Sequence, residues 1–110
     1  MTENRPLAMP QGTLDLLILR TLDAGPSHGY AIARAIEATT GDALRVEEGS
    51  LYPALHRMQR RGLIDARWAA SELGKRVKVY ELTDSGRREL RTRIDDWGRL
   101  TSAVAKVLGG

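Results

Sequence analysis

The chain of 110 residues has no cysteine, which removes disulfide scaffolds, thiolate metal sites and cysteine nucleophiles together. With no thiol to mark a redox compartment, a reducing cytoplasm is the simplest expected setting. Histidine is scarce: His28 and His56 stand too far apart in sequence to suggest a metal site, and neither a metal nor another cofactor is expected. The longest apolar run is only Leu16-Leu17-Ile18-Leu19, too short to span a membrane. Met1 to Pro10 carries Glu3 and Arg5 without an apolar core, so no signal peptide is expected. Repeats and low-complexity segments are missing too. What remains is ordinary: 42% hydrophobic and 28% charged residues, a composition that excludes wholesale disorder at a length suited to one domain.

The net charge of +3 is unevenly spread. Between Gly49 and Lys78 lie Arg57, Arg60, Arg61, Arg67, Lys75, Arg76 and Lys78, against Asp65 and Glu72. Seven cations less two carboxylates leave +5, so the rest of the chain carries −2. A basic patch on a slightly acidic body is the electrostatic footprint of a polyanion partner, although a solvated basic face has the same composition. Position in the fold decides between them.

Residues 1–11 are polar, with Pro6 and Pro10, and read as a flexible arm. From Gly12 to Asp23, Leu14, Leu17, Ile18 and Leu22 recur on one helical face, and Gly25-Pro26 ends the helix. Ser27 is the expected N-cap of a second helix reaching Thr40, with Tyr30, Ala33 and Ile36, or Ile32 and Ile36, on its buried side. A third helix begins near Gly49-Ser50, which puts Pro53 in its first turn. Leu51, Leu55 and Met58 form its inner face. Ser50, Pro53, His56, Arg57, Arg60 and Arg61 fall on the other side, with Tyr52 and Gln59 at the margin. Gly62 is the expected left-handed cap, followed by Leu63 in a Schellman-type ending.

Beyond Gly62 the period changes to two. Ile64, Ala66 and Trp68 alternate with Asp65 and Arg67 as a half-buried strand, Ala69 to Arg76 forms a hairpin tip, and Val77 to Leu82 returns. Thr83 then caps a helix from Asp84 to Leu108. The expected architecture is mainly α with a small β-hairpin. It is a winged helix-turn-helix over residues 12–83 followed by a long C-terminal helix over 84–108.

In that fold the outer face of the third helix is the base-reading candidate. Ser50, Tyr52, Pro53 and His56 occupy its N-terminal half, and Arg57 is the first candidate for a base contact, since an arginine fork matches guanine. Arg60 and Arg61 suit phosphates, as do Lys75, Arg76 and Lys78 at the hairpin tip. In the last helix Leu90, Ile94, Trp97, Thr101, Val104 and Leu108 recur at alternating steps of four and three, a seam broken only by Thr101. An identical chain is the natural cover for that seam, and the first helix of the same chain is the alternative. Glu47 and Glu48 favour the positive end of the third helix and do not form a catalytic pair, because no nucleophile, metal or cleft accompanies them. No enzymatic activity is expected.

Four strings together are specific: Pro26-Ser27-His28-Gly29-Tyr30, Gly49-Ser50-Leu51-Tyr52-Pro53-Ala54-Leu55, Arg61-Gly62-Leu63-Ile64 and Tyr80-Glu81-Leu82-Thr83. In order and spacing, from about Gly12 to Leu108, the chain resembles the PadR-like transcriptional regulators, in the short form with a single C-terminal dimerisation helix. The resemblance implies a cytoplasmic homodimer that binds double-stranded DNA, usually a repressor on an inverted-repeat operator. The third helix would enter the major groove, and Tyr52 would bond a phosphate. Some members bind small aromatic or cationic effectors near the dimer interface, which makes Trp97, next to Gly98, the effector candidate here. Two other readings stay open: a winged-helix module for an acidic protein partner, and a nucleic-acid binder that senses charge alone.

Overall fold

Apolar residues three and four apart build α1 (Thr13–Asp23), whose Ile18, Leu19 and Leu22 are buried. The structure is a computed structural model describing residues 7–10 and 12–110, so most of the arm expected at 1–11 lies outside the described residues. Gly25-Pro26 ends the helical run, and the chain then makes a two-residue strand, β1 (Ser27–His28), before α2 (Gly29–Thr39). Ser27 is therefore not the helix cap. It is drawn into the sheet opposite Tyr80, and His28 caps α2 instead, its Nδ1 accepting from the Ala31 amide at 3.3 Å. Ile32, Ala33 and Ile36 face the core, whereas Tyr30 is exposed.

The third helix, α3 (Glu48–Arg60), starts earlier than its sequence suggests. Glu48 stands in its first turn and Pro53 in its second, where the ring removes the donor that would have met the Gly49 carbonyl. Leu51, Ala54, Leu55 and Met58 are buried. The helix ends as its composition requires, with Gly62 at φ 75° and the Leu63 amide donating back to the Met58 carbonyl at 3.0 Å.

Strands β2 (Ile64–Ala70) and β3 (Arg76–Leu82) form an antiparallel hairpin, and β1 adds to the far side of β3, giving the order β1-β3-β2. The register sets Ala66 opposite Tyr80 and Trp68 opposite Lys78. Only the base of the hairpin is buried. Ile64, Tyr80 and Leu82 join the core, but Trp68, expected on a half-buried strand, is 58% exposed. Alternation assigns it a face of the sheet, and that part of the sheet projects past the helices that would have covered it.

The last helix, α4 (Asp84–Leu108), has the bounds expected, from Thr83 as N-cap to Gly109 at φ 89°. Leu90 belongs to the core formed by α1, α2, α3 and the sheet. Its later turns leave that core, and the molecule is elongated, with extents of 53 × 35 × 22 Å.

Candidate nucleic-acid interface

Burial of Leu51, Ala54, Leu55 and Met58 fixes the rotation of α3, so Ser50, Tyr52, Pro53, His56, Arg57, Arg60 and Arg61 are all turned to solvent. The structure brings the seven together on one exposed surface, with Tyr52, Pro53, His56, Arg57 and Arg60 lining a shallow recess. Tyr52 does pack at the margin, as its helical position suggests: its ring lies against Gly29 at the start of α2. It also adjoins Tyr80, whose phenol is pushed above its usual range by burial, with Tyr52 adding to the shift.

Arg57 is not free. Its Nη2 donates to Oδ1 of Asp15 on α1 at 3.3 Å; the carboxylate side chain is 13% exposed and the arginine 55%. Among the described residues no carboxylate pairs with Arg60, Arg61, Lys75, Arg76 or Lys78.

The hairpin carries the second cationic group. Ser71, Gly74 and Lys75 close its tip through three hydrogen bonds, from Ser71 N to Lys75 O, Gly74 N to Ser71 O and Lys75 N to Ser71 Oγ, with Gly74 at φ 78°. Arg76 stacks its guanidinium 4.8 Å from the centre of the exposed Trp68 ring, and Lys78 sits 5.8 Å over the Tyr80 ring. Exposed Trp68 thus joins the basic surface that its neighbours define.

Two features that hold this surface in place are not evident from sequence. Glu37 on α2 is 5% exposed, and its carboxylate accepts from the Val46 amide at 2.9 Å and from Arg34 at 2.9 Å, with Arg45 at 3.5 Å. The Val46 hydrogen bond, with help from both arginines, holds its carboxyl below the usual carboxylate range despite the opposing effect of burial. Glu37 thereby ties α2 to the segment that leads into α3. At the other end, Thr83 Oγ1 donates to the Gly62 carbonyl at 2.7 Å and accepts from Gly86 N at 2.9 Å, while Thr83 N donates to Leu63 O at 3.2 Å. The end of α3 and the start of α4 are stitched together.

Along α4 the expected seam divides. Leu90 is internal, while Trp97, Thr101, Val104 and Leu108 line a long apolar groove with Gly12, which caps α1, and with Thr13 and Leu16 of α1. Ile94, at the border of that groove, lines a second, open recess with Gly98 and Val107. Among the described residues no cluster of three or more His, Asp or Glu is placed to hold a metal ion, and no helix is long and apolar enough to cross a membrane.

Comparison with known proteins agrees with this geometry. The model of the transcriptional regulator PadR-like family matches residues 18–92. A PadR-like transcriptional regulator from Bacillus cereus is 33% identical, with a TM-score of 0.77, the match covering 91% of this chain and 95% of that one. A transcriptional regulator from Clostridium thermocellum reaches a TM-score of 0.81 at 28% identity, over 87% and 93% of the two chains. PadR of Bacillus subtilis, solved in complex with operator DNA, is 29% identical with a TM-score of 0.69, over 77% of this chain and 48% of that one.

Proposed function

This chain belongs to the PadR-like family of transcriptional regulators, and from that premise we propose that it is a homodimeric repressor of an inverted-repeat operator, acting in the cytoplasm. The observation that carries the reading is the single exposed face of α3, where Ser50, Tyr52, Pro53, His56, Arg57, Arg60 and Arg61 stand clear of the core. In the major groove His56 and Arg57 would read base edges, and Arg60, Arg61 and the Tyr52 hydroxyl would meet phosphates. Lys75, Arg76 and Lys78 on the hairpin add phosphate contacts, which strengthen binding and its salt dependence without reading sequence. The operator-bound Bacillus subtilis relative supports DNA as the partner.

Dimerisation is assigned to the distal half of α4. A 25-residue helix is about 37 Å long, and its exposed Ile94, Trp97, Leu100, Val104 and Leu108 offer an apolar surface to a second copy. The groove beside Trp97 is where an aromatic effector would change the crossing angle of two such helices and so relieve repression.

The test is binding to the DNA upstream of the chain's own gene and to a shuffled fragment across a salt series. Specific recognition gives a preference of about a thousandfold or more at physiological salt. Equal binding that vanishes as salt rises means attraction by charge alone, and indifference to DNA at low salt favours a protein partner. Sedimentation of the chain and of Val104→Asp over a concentration series tests the dimer, the variant being expected to sediment as a monomer.

A further inference from the structure

Resting on the DNA-binding reading above, we propose that Asp15 of α1 is a specificity-determining residue: it positions Arg57 so that the arginine reads a base edge rather than reaching for phosphates. Asp15 lies on α1, outside the α2–α3 pair. It stands in the first turn of α1, where the helix end favours its negative charge, and is mostly shielded from water. Arg57 reaches it across 42 positions of sequence and donates through Nη2 alone. One edge of the guanidinium is thus engaged. The donors on Nε and Nη1 remain, and the side chain is more than half exposed on the surface shared with Tyr52, His56 and Arg60.

The consequence follows from what an unanchored arginine does. A free guanidinium on a flexible stem pairs with any phosphate in reach, which strengthens binding to every sequence alike. Held at one edge by a fixed carboxylate, it loses that freedom in the free protein. Its remaining edge is presented in one orientation, so less ordering is left to occur on binding and a mis-set base cannot be accommodated by swinging away. Arg60 and Arg61, with no carboxylate partner among the described residues, serve as phosphate clamps beside it.

The experiment measures affinity for a selected operator and for shuffled DNA over a salt series, in the full chain and in Asp15→Asn, Arg57→Ala, Arg57→Lys and Asp15→Asn/Arg57→Ala. The operator is obtained by selection from a random DNA pool. Asp15→Asn is expected to lower the operator-to-shuffled ratio about tenfold, the scale of one base contact. Its binding to shuffled DNA becomes steeper in salt by about one phosphate contact. Arg57→Lys, which keeps the charge without the fork, lowers the ratio to the same level. In the Arg57→Ala background the Asp15 substitution leaves the ratio unchanged, which a merely structural role or a general charge effect would not produce. An undiminished ratio in Asp15→Asn, or an equal effect with and without Arg57, overturns the proposal. A parent chain that selects no sequence overturns the DNA-reading assignment beneath it, and this proposal with it.

Discussion

The ring of Tyr52 lies on Gly29, so near that a methyl group at position 29 would come 2.9 Å from its Cε1 and 3.0 Å from its hydroxyl oxygen. Glycine at the start of α2 is therefore a steric requirement of a tyrosine on α3, and the two strings that contain them describe one contact. The pair sets how α3 leans on α2, with the Tyr52 hydroxyl left at the edge of the exposed basic face.

Gly29→Ala is accordingly expected to destabilise the chain by about 1 kcal/mol, the low end of the overpacking range because the exposed tip of Tyr52 can shift, and to weaken operator binding as Tyr52 is pushed aside. In a Tyr52→Ala background the same change costs little, because the obstruction is gone. Urea unfolding of the four chains checks it. Equal costs in both backgrounds would mean that the glycine serves some other purpose.

Stability in acid is expected to follow Glu37. Its carboxyl is held below its ordinary value of 4.5 by the Val46 amide first and by Arg34 and Arg45. A folded pKa below the unfolded one means that the stabilisation is complete above the ordinary carboxylate range and is lost as the pH falls through the depressed value. Glu37→Gln should be the less stable chain at neutral pH, and the gap between the two should narrow as acid is added. Thermal unfolding from pH 7 to pH 3 measures that gap, and a gap independent of pH would contradict the assignment.

At Gly86 an added Cβ would run into the backbone carbonyl oxygen of Leu63, with Leu82 Cδ2 also 3.1 Å away. Backbone cannot swing aside as a side chain can. Gly86→Ala is expected to cost at least the upper part of the range of about 1–3 kcal/mol typical of overpacking. Gly98→Ala, at a helical position with open space around it, should instead stabilise by up to about 1 kcal/mol through helix propensity. Denaturant midpoints of the two variants, read side by side, separate these outcomes.

Trp68 and Trp97 are the two tryptophans of the chain, so Trp97→Phe leaves an optical reporter on the hairpin alone. Its emission should be that of a water-exposed indole, should shift in Arg76→Ala as the stacked cation is lost, and should be quenched when operator DNA is added. The stacking itself contributes about 0.5–1 kcal/mol at such an exposed site. Emission unmoved by saturating DNA would remove the hairpin from the interface.

Most of this framework could be read from the residues, for identifiable reasons. The bounds of α4 follow from a capping threonine and a terminal glycine, and the outward face of α3 from apolar residues at 51, 55 and 58. β1 leaves no trace in the sequence because two residues have no period: Ser27 and His28 become a strand only through Tyr80 and Val79. Trp68 shows the limit of alternation, which assigns a side chain to a face without saying whether anything covers it. The Asp15–Arg57 tie joins distant positions, and Asp15 among leucines reads simply as the polar side of a helix. Glu37 was equally silent, since its partners are a loop amide and two arginines whose convergence depends on the turn before α3.

Finally, the junction of Thr83 with Gly62 and Leu63 ties the end of α3 to the start of α4, so that in the proposed dimer the reading helix and the pairing helix would move together. The proposed dimer, built on such arms, would measure distance as strictly as it measures sequence. Half-sites one helical turn apart, about 34–36 Å, are the spacing expected for it. The same half-sites separated by an extra half turn of about five base pairs face opposite sides of the duplex, and arms tied in this way would not be expected to follow. On the proposed reading, phase along the double helix would be part of the address, and a promoter would escape such a dimer through a small insertion that leaves every contacted base intact.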